Sequence, residues 1–301
     1  MTRVSKINFD WPGLVLFSVS LTLLLVIFSN GMAWGWLSLR VVGLSGIVVL
    51  GTAVFIRQEL RVPDPLFDLN LFRTISFAAA QTIVTFASIG FFATTFLLTF
   101  YLQGGLAQSP LTTGLLMVPL SAPQLIASPL GGRLADRIGS AWPMFAGMIG
   151  LGCGALWLSN LPATLSVWAI GGPLTLMAIA NGFYWPPLAS LVMKVSPRER
   201  LGAASGLFFT FRNIGFSLSL TLALVFAETS LPASVAVRVF LGIHAHTSPD
   251  LVTALIHAVR SAFRWFTIAF GLAWLAIIPI LRSRSRYSAV TSRGVDLSRR
   301  H

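Results

Sequence analysis

The chain has 301 residues, 55% of them hydrophobic and 10% charged, with a mean hydropathy of +0.81 and a formal charge of +12. A soluble domain carries about 25% charged residues, so this composition excludes a globule covered by polar surface and points to a bilayer as solvent. The basic residues lie in short connections and in a tail rather than in one stripe, which argues against a nucleic-acid interface and suits anchoring on an anionic leaflet.

In chain order, residues 11–29 form an apolar stretch longer than the roughly 7–15 residues of a signal-peptide core, with no small-x-small cleavage pattern after it, so they read as a retained spanning helix. Residues 40–57 are the weakest span, an uncharged run bounded by Arg40 and Arg57, whose side chains snorkel outward. The stretch "RVPDPLFDLNLFR" (61–73) alternates apolar and polar residues and reads as a segment lying on the membrane face. No Asp, Glu, Lys, Arg or His occurs from Thr74 to Gly132, and "QGGLAQSP" (103–110) divides this run into spans 76–102 and 110–132. The uncharged run from Ile138 to Met193 divides at "SNLP" (159–162) into spans 142–159 and 163–190, the second kinked or ended by Pro186-Pro187. Spans 202–227 and 263–281 bring the count to eight. Between them, 228–262 is a long outer connection in which "DLVTALIHAVRSAF" has helical apolar spacing that runs into the last span. The Ser/Arg-rich tail 282–301 reads as disordered. Cys153 is the one cysteine, so no disulfide framework exists.

Charge tests this count. With eight spans, one membrane face collects sixteen Lys and Arg residues, including Lys6, Arg73, Arg137, Lys194, Arg200 and the tail. The other collects four: Arg40, Arg238, Arg260 and Arg264. The positive-inside rule then places both termini in the cytoplasm of a multi-pass protein of the inner or plasma membrane.

On the cationic face, "GGRLADRIGS" (131–140) places Gly132, Asp136, Arg137 and Gly139 in the spacing G-x-x-x-D-R-x-G. Read from spacing alone, it is a solvated bend or a working joint. The pattern resembles the cytoplasmic signature of the major facilitator superfamily. That resemblance implies a joint in which Asp136 accepts from helix ends or from an Arg of a neighbouring helix, and in which the glycines permit close approach. Six further stretches, "FDWPGLVLFSVSLTLLL", "GWLSLR", "PLFDLNLFR", "FYLQGGLAQSPLTTGLLMVPL", "NGFYWPPLASL" and "SPRERLGAASGLFFTFRNIGFSLSLTLA", resemble successive segments of the fourteen-helix drug/proton antiporters (EmrB/QacA type), in order. The resemblance implies an all-α integral membrane fold of eight transmembrane helices, the carboxy-terminal half plus two preceding linker helices. Residues 1–75 are then the linker helices and interfacial segment, 76–281 the six-helix half, and 282–301 a basic cytoplasmic tail.

The chain departs from that family. Asp136-Arg137 is its one Asp-Arg pair, Ser140 and Ala141 stand where cations usually follow, and the segments resembling the first six helices are missing. All nine acids lie at span ends or outside the spans, so none is placed to carry a proton at mid-membrane.

Arg212 lies about ten residues into its span, roughly 15 Å deep, where an Arg costs about 2.5–3.5 kcal/mol on insertion scales. It is expected either to face the central pathway or to be held by snorkelling and backbone carbonyls. Gln124 and Asn181, like Gln81, are polar within spans and either line the pathway or bond across helices. Tyr184 and Phe209, with Phe183, Trp185 and Phe208, offer aromatic surface to a lipophilic cation or pack in the core. "GAASG" (202–206) is a GxxxG packing pattern. His244, His246 and His257, with few acids and no Cys beside them, make a poor metal site.

The expected function is half of a proton-coupled exporter of amphipathic or lipophilic small molecules, working by alternating access, driven by the proton gradient without a cofactor, and inactive without an amino-terminal half. The alternatives are a membrane scaffold or regulatory subunit, or a truncated inactive remnant. No G-x-S-x-G, HExxH, P-loop or intramembrane carboxylate pair supports an enzyme.

Overall fold

Side-chain caps decide where several of the helices start. The structure, a computed structural model, describes residues 10–62, 67–228 and 249–281, which are helical with short connections and contain no strand. Helix α1 (Trp11–Trp34) begins at Asp10, whose Oδ1 accepts from the Gly13 amide at 2.9 Å. Helix α2 (Leu39–Glu59) begins at Ser38, whose hydroxyl accepts from the Val41 amide. Each cap satisfies one of the amides that a helix start leaves without a partner. Asp10 Oδ1 also accepts from Gln58 Nε2 at 2.8 Å and closes this hairpin.

A 3-10 turn (Leu69–Arg73), opened by Asp68, leads into α3 (Ile75–Thr99), which widens into π-helical Phe100–Gly105. The predicted span 110–132 is broken. It consists of α4 (Pro110–Met117), a 3-10 turn (Val118–Leu120) and α5 (Gln124–Ile138), because Pro119 and Pro123 remove backbone donors and clash with the preceding turn. Helices α6 (Ala141–Leu158), α7 (Val167–Val195) and α8 (Leu201–Glu228) follow, and α9 (Pro249–Leu275) continues through a turn to a helical end at Leu281.

Among the described residues, seven helical stretches are long and apolar enough to cross a membrane, with Pro110–Ile138 counted as one. The α8 helix lies outside that set, with Arg212 and Asn213 in its middle, yet its 28 residues reach about 42 Å at 1.5 Å each. The protein is an all-helical, multi-pass integral membrane protein.

Buried surface shows which helices are central. The α3 span has 61% of its window buried, against 11% for α1 and 17% each for α2 and Pro110–Ile138. Helix α3 packs against α8 and α9, and α7 against α5 and α6, around a core that includes Phe77, Tyr101, Tyr184, Phe208, Phe263 and Phe270. The α1–α2 hairpin packs mainly on itself and reaches the rest through α8, where Thr221 donates to the Phe28 carbonyl at 3.0 Å.

Two expectations change here. Helix α7 runs through Pro186 and Pro187 to Val195, neither ending nor losing its helical course there. Inside a bundle, neighbouring helices and local adjustment absorb the lost backbone bonds. The connection expected at 228–262 ends earlier than its assigned bound, since the chain is helical from Pro249 onward, and the apolar spacing of 250–263 runs into the last span as expected, within α9. The rest of that connection, with His244 and His246, lies outside the described residues, as do the tail and Arg3 and Lys6. Among the described residues no group of His, Cys and acids is placed to hold a metal, and His257 is exposed on α9.

The two ends of the bundle carry different polar contacts. At one end Asp10 meets Gln58, Arg200 Nε lies 3.7 Å from Asp68 Oδ2, and Asp136 pairs with Lys194. At the other, Tyr101 donates to the Pro162 carbonyl at 2.6 Å and Arg260 Nε donates to the Leu161 carbonyl at 2.7 Å. Residues that charge counting assigns to one face therefore gather at one end, and Arg260 of the other face lies at the opposite end.

Candidate functional site: a cavity lined by Arg212

Close backbone contact sets the depth of the residues that line the central cavity. On α5, a Cβ at Gly131 would run into the Gly182 carbonyl and lie 2.9 Å from the Phe183 Cα. On α7, a Cβ at Gly182 would meet the Ala127 Cβ at 2.5 Å. The two helices thus touch through paired glycines, which places Asn181 and Tyr184 of α7 beside Gln124 of α5. A similar approach joins α8 to α3. A Cβ at Gly215 would come within 2.5 Å of the Thr85 carbonyl, and Arg212, three residues earlier on the same helical face, is carried over α3.

These four helices enclose one side of a half-open cavity of about 200 Å³. From α3 come Ser88, Phe91 and Phe92, and from α5 comes Gln124. Helix α7 supplies Asn181, Tyr184 and Trp185, and α8 supplies Arg212. The guanidinium carbon of Arg212 lies 5.0 Å from the centre of the Trp185 ring and 5.1 Å from that of Phe92. Both are within the range at which a cation is attracted to an aromatic face. Trp185 is held from behind by Phe208, with ring centres 5.1 Å apart, and Phe92 by Phe216 at 4.8 Å. Among the described residues Arg212 makes no hydrogen bond to a backbone carbonyl; its guanidinium lies over two rings that other aromatic side chains brace.

Four of the five residues singled out for a pathway, Gln124, Asn181, Tyr184 and Arg212, line this single cavity. Phe209 does not. It is half exposed and points away, because the face of α8 turned inward carries Phe208 and Arg212. Gln81 is fully buried in α3 away from the cavity, and among the described residues neither atom of its amide has a hydrogen-bond partner. Phe91 and Phe92 escaped sequence reasoning. They sit in an uncharged run, with only Ser88, four residues before Phe92, to mark that face as polar.

The signature stretch lies apart from this cavity, at the end where Asp10 meets Gln58. Asp136 pairs with Lys194 of α7, Nζ to Oδ1 at 3.2 Å, with both side chains largely exposed. The expected partner was a helix end or an Arg; a lysine one helix away takes that place, and Arg137 is exposed on α5. Nothing lies within 4 Å of a Cβ built on Gly132, so the close approach belongs to Gly131 next to it. Gly139 has φ +87°, a left-handed conformation that a side chain strains, and this ends α5 two residues before α6 begins. Among the described residues the GxxxG of 202–206 makes no close helix contact, since a Cβ on Gly202 meets nothing and one on Gly206 meets the Phe67 ring at 3.5 Å. Beside the Asp136–Lys194 pair, Arg73, Ser140 and Ile280 line a larger cleft of about 780 Å³.

Comparison with known sequences accords with this arrangement. The Major Facilitator Superfamily profile matches residues 7–220. The chain is 32% identical over 211 residues to the multidrug resistance protein Stp of Mycobacterium tuberculosis, covering 70% of this chain and 39% of that protein. It is 30% identical over 217 residues to the tetracenomycin C resistance and export protein of Streptomyces glaucescens, again covering 70% and 39%. It is 28% identical over 221 residues to the multidrug transporter protein MdtP of Bacillus subtilis, covering 73% and 41%. The chain thus spans about two fifths of the length of these relatives.

Proposed function

Because the chain belongs to the major facilitator superfamily, we propose that these residues form the carboxy-terminal half, with two linker helices, of a fourteen-helix drug/proton antiporter in the plasma membrane, both termini facing the cytoplasm. The observation that carries this reading is the gathering of Gln124, Asn181, Tyr184 and Arg212 around one half-open cavity. Alternating access needs such a half-site, completed by a second half that rocks against it. The exposed apolar surface of α4 and α5, including Leu111, Leu115, Leu125 and Ile126, is the surface on which that half would sit.

In this mechanism the cavity binds one side of a small molecule and the other half binds the opposite side. Proton coupling falls to a carboxylate of the other half, since among the described residues no acid lines the cavity. The Asp136–Lys194 pair holds one packing of α5 against α7. An exposed pair is worth only about 0–1 kcal/mol, weak enough to break in every cycle.

The test is efflux from a drug-sensitive host that lacks its own exporters. The chain is expressed alone, joined to the part of the Stp homologue that it does not match, and beside that part as a separate polypeptide. Resistance is expected only when both halves are present. Resistance from these 301 residues alone, or none from any pairing despite membrane insertion, would count against the reading and leave a scaffold or inactive role.

A further inference from the structure

The cavity around Arg212 has a chemical bias that sorts its ligands. Arg212 carries a permanent charge and five N–H donors with no acceptor capacity. Among the described residues its partners are the two aromatic faces, which attract the cation without neutralising it. Among the described residues no Asp or Glu lines the cavity. Tyr184, 2% exposed, also lines it, and its buried hydroxyl has no hydrogen-bond partner among the described residues. The amides of Gln124 and Asn181 add both donors and neutral acceptors, so Arg212 carries the one formal charge among the residues that line the cavity.

A buried donor without an acceptor, as the Tyr184 hydroxyl is, costs about 1–3 kcal/mol, and an anionic ligand both supplies that acceptor and pairs with the half-buried Arg212 charge. A cationic ligand does the reverse. It brings like charge toward Arg212 in a medium of low dielectric and leaves the donors unsatisfied. The remaining wall is aromatic, with Phe91 and Trp185 facing the same space. An apolar cavity of about 150 Å³ holds a single benzene ring, so about 200 Å³ suits one to two fused rings.

We propose that this half-site recognises the anionic or oxygen-rich edge of a planar aromatic molecule, a carboxylate or phenolate on one to two fused rings, with Arg212 and Tyr184 donating to the oxygens and Trp185 and Phe91 against the ring. The inference rests on the cavity being the substrate half-site proposed above, and it narrows the amphipathic or lipophilic small molecules expected from the sequence to a class opposite in charge to a lipophilic cation.

The experiment measures binding rather than transport. The full chain, in nanodiscs of zwitterionic lipid, is titrated at pH 7 with 2-naphthoate and with the 2-naphthylmethylammonium ion, and partition into empty nanodiscs is subtracted. Two rings of equal size then differ only in the sign of the attached charge. A hydrogen-bonded charge contact is worth about 1.5–3 kcal/mol, so naphthoate is expected to bind about tenfold or more tightly than the ammonium probe. Arg212→Gln should bring the two probes to parity, Arg212→Lys should keep the order of preference, and Tyr184→Phe should weaken naphthoate alone by a few fold. Equal or tighter binding of the ammonium probe, or an unchanged preference in Arg212→Gln, overturns the proposal. Should Arg212→Gln fail to fold, loss of the preference in well-folded Arg212→Lys, or no effect of Tyr184→Phe, overturns it as well. Because no second half is needed, this result stands apart from the efflux test. Cation preference with restored efflux would sink the substrate class alone, and anion preference without efflux would sink the transport reading alone.

Discussion

The guanidinium of Arg212 stacks on the indole of Trp185 at 5.0 Å, across from the Phe92 ring at 5.1 Å. A desolvated cation–π contact is worth up to about 2 kcal/mol, and each of these rings is itself braced by another. A double-mutant cycle with Arg212→Met and Trp185→Leu, read by SDS-induced unfolding in mixed micelles, is expected to give a coupling of about 1–2 kcal/mol. Additive effects would mean that the stacking carries no energy and that Arg212 is held in place by something else.

Gly131 and Gly132 are neighbours with opposite demands. A Cβ on Gly131 strikes the backbone of α7 at Gly182 and Phe183, which has no free side chain to move aside, whereas one on Gly132 meets open space. Overpacking of this kind costs about 1–3 kcal/mol, while Gly→Ala within a helix gains up to about 1 kcal/mol. Gly131→Ala is therefore expected to lower the melting temperature in detergent by several degrees, and Gly132→Ala to leave it unchanged or raise it. The reverse order would put the α5–α7 contact one residue along.

This pair also shows where sequence reasoning stops. The G-x-x-x-D-R-x-G spacing draws attention to Gly132, yet the contact is made by the preceding residue, because which of two adjacent glycines faces a neighbour depends on the rotation of α5 about its own axis. Polar residues inside apolar runs were legible for the converse reason. Burying Arg212, Asn181 or Gln124 against lipid is costly, so each is drawn toward a cavity, and all three share one. The same logic gives no location for Gln81, whose amide is buried away from that cavity. Aromatic residues carry no such penalty, so Phe92 in the cavity and Phe209 outside it look alike in sequence. Helix positions were legible from apolar run length, whereas the break at Pro119 and Pro123 and the continuity through Pro186 and Pro187 depend on what packs around each proline.

At the end of the bundle away from Asp136, two side chains from different elements hold adjacent carbonyls of one loop. Tyr101 donates to Pro162 and Arg260 to Leu161. Each bond is worth about 0.5–1.5 kcal/mol, and more where the donor is charged. Tyr101→Phe and Arg260→Met are each expected to raise amide exchange in residues 159–166 severalfold. The double variant should add little, since either loss already frees the loop. Protection of that loop in both single variants would show that it is held by other contacts.

The orientation of the bundle follows from a chemical difference between its ends, and labelling can read it directly. Cys153 is exposed, so it is first replaced by Ala to give a background without thiols. Single cysteines are then placed at Asp136, beside Lys194, and at His257, exposed on α9 one turn before Arg260. If the face with sixteen basic residues is cytoplasmic, a membrane-impermeant maleimide added to intact cells labels His257→Cys and spares Asp136→Cys until the cells are permeabilised. Lys and Arg near span ends resist translocation, and reversing the bundle would carry twelve more of them across the membrane than it would leave inside. Labelling of Asp136→Cys in intact cells would therefore overturn the topology. It would also place the Asp136–Lys194 pair on the outer surface, so that the α5–α7 packing it is proposed to hold would be a latch at the opposite end of the pathway from the one the signature implies.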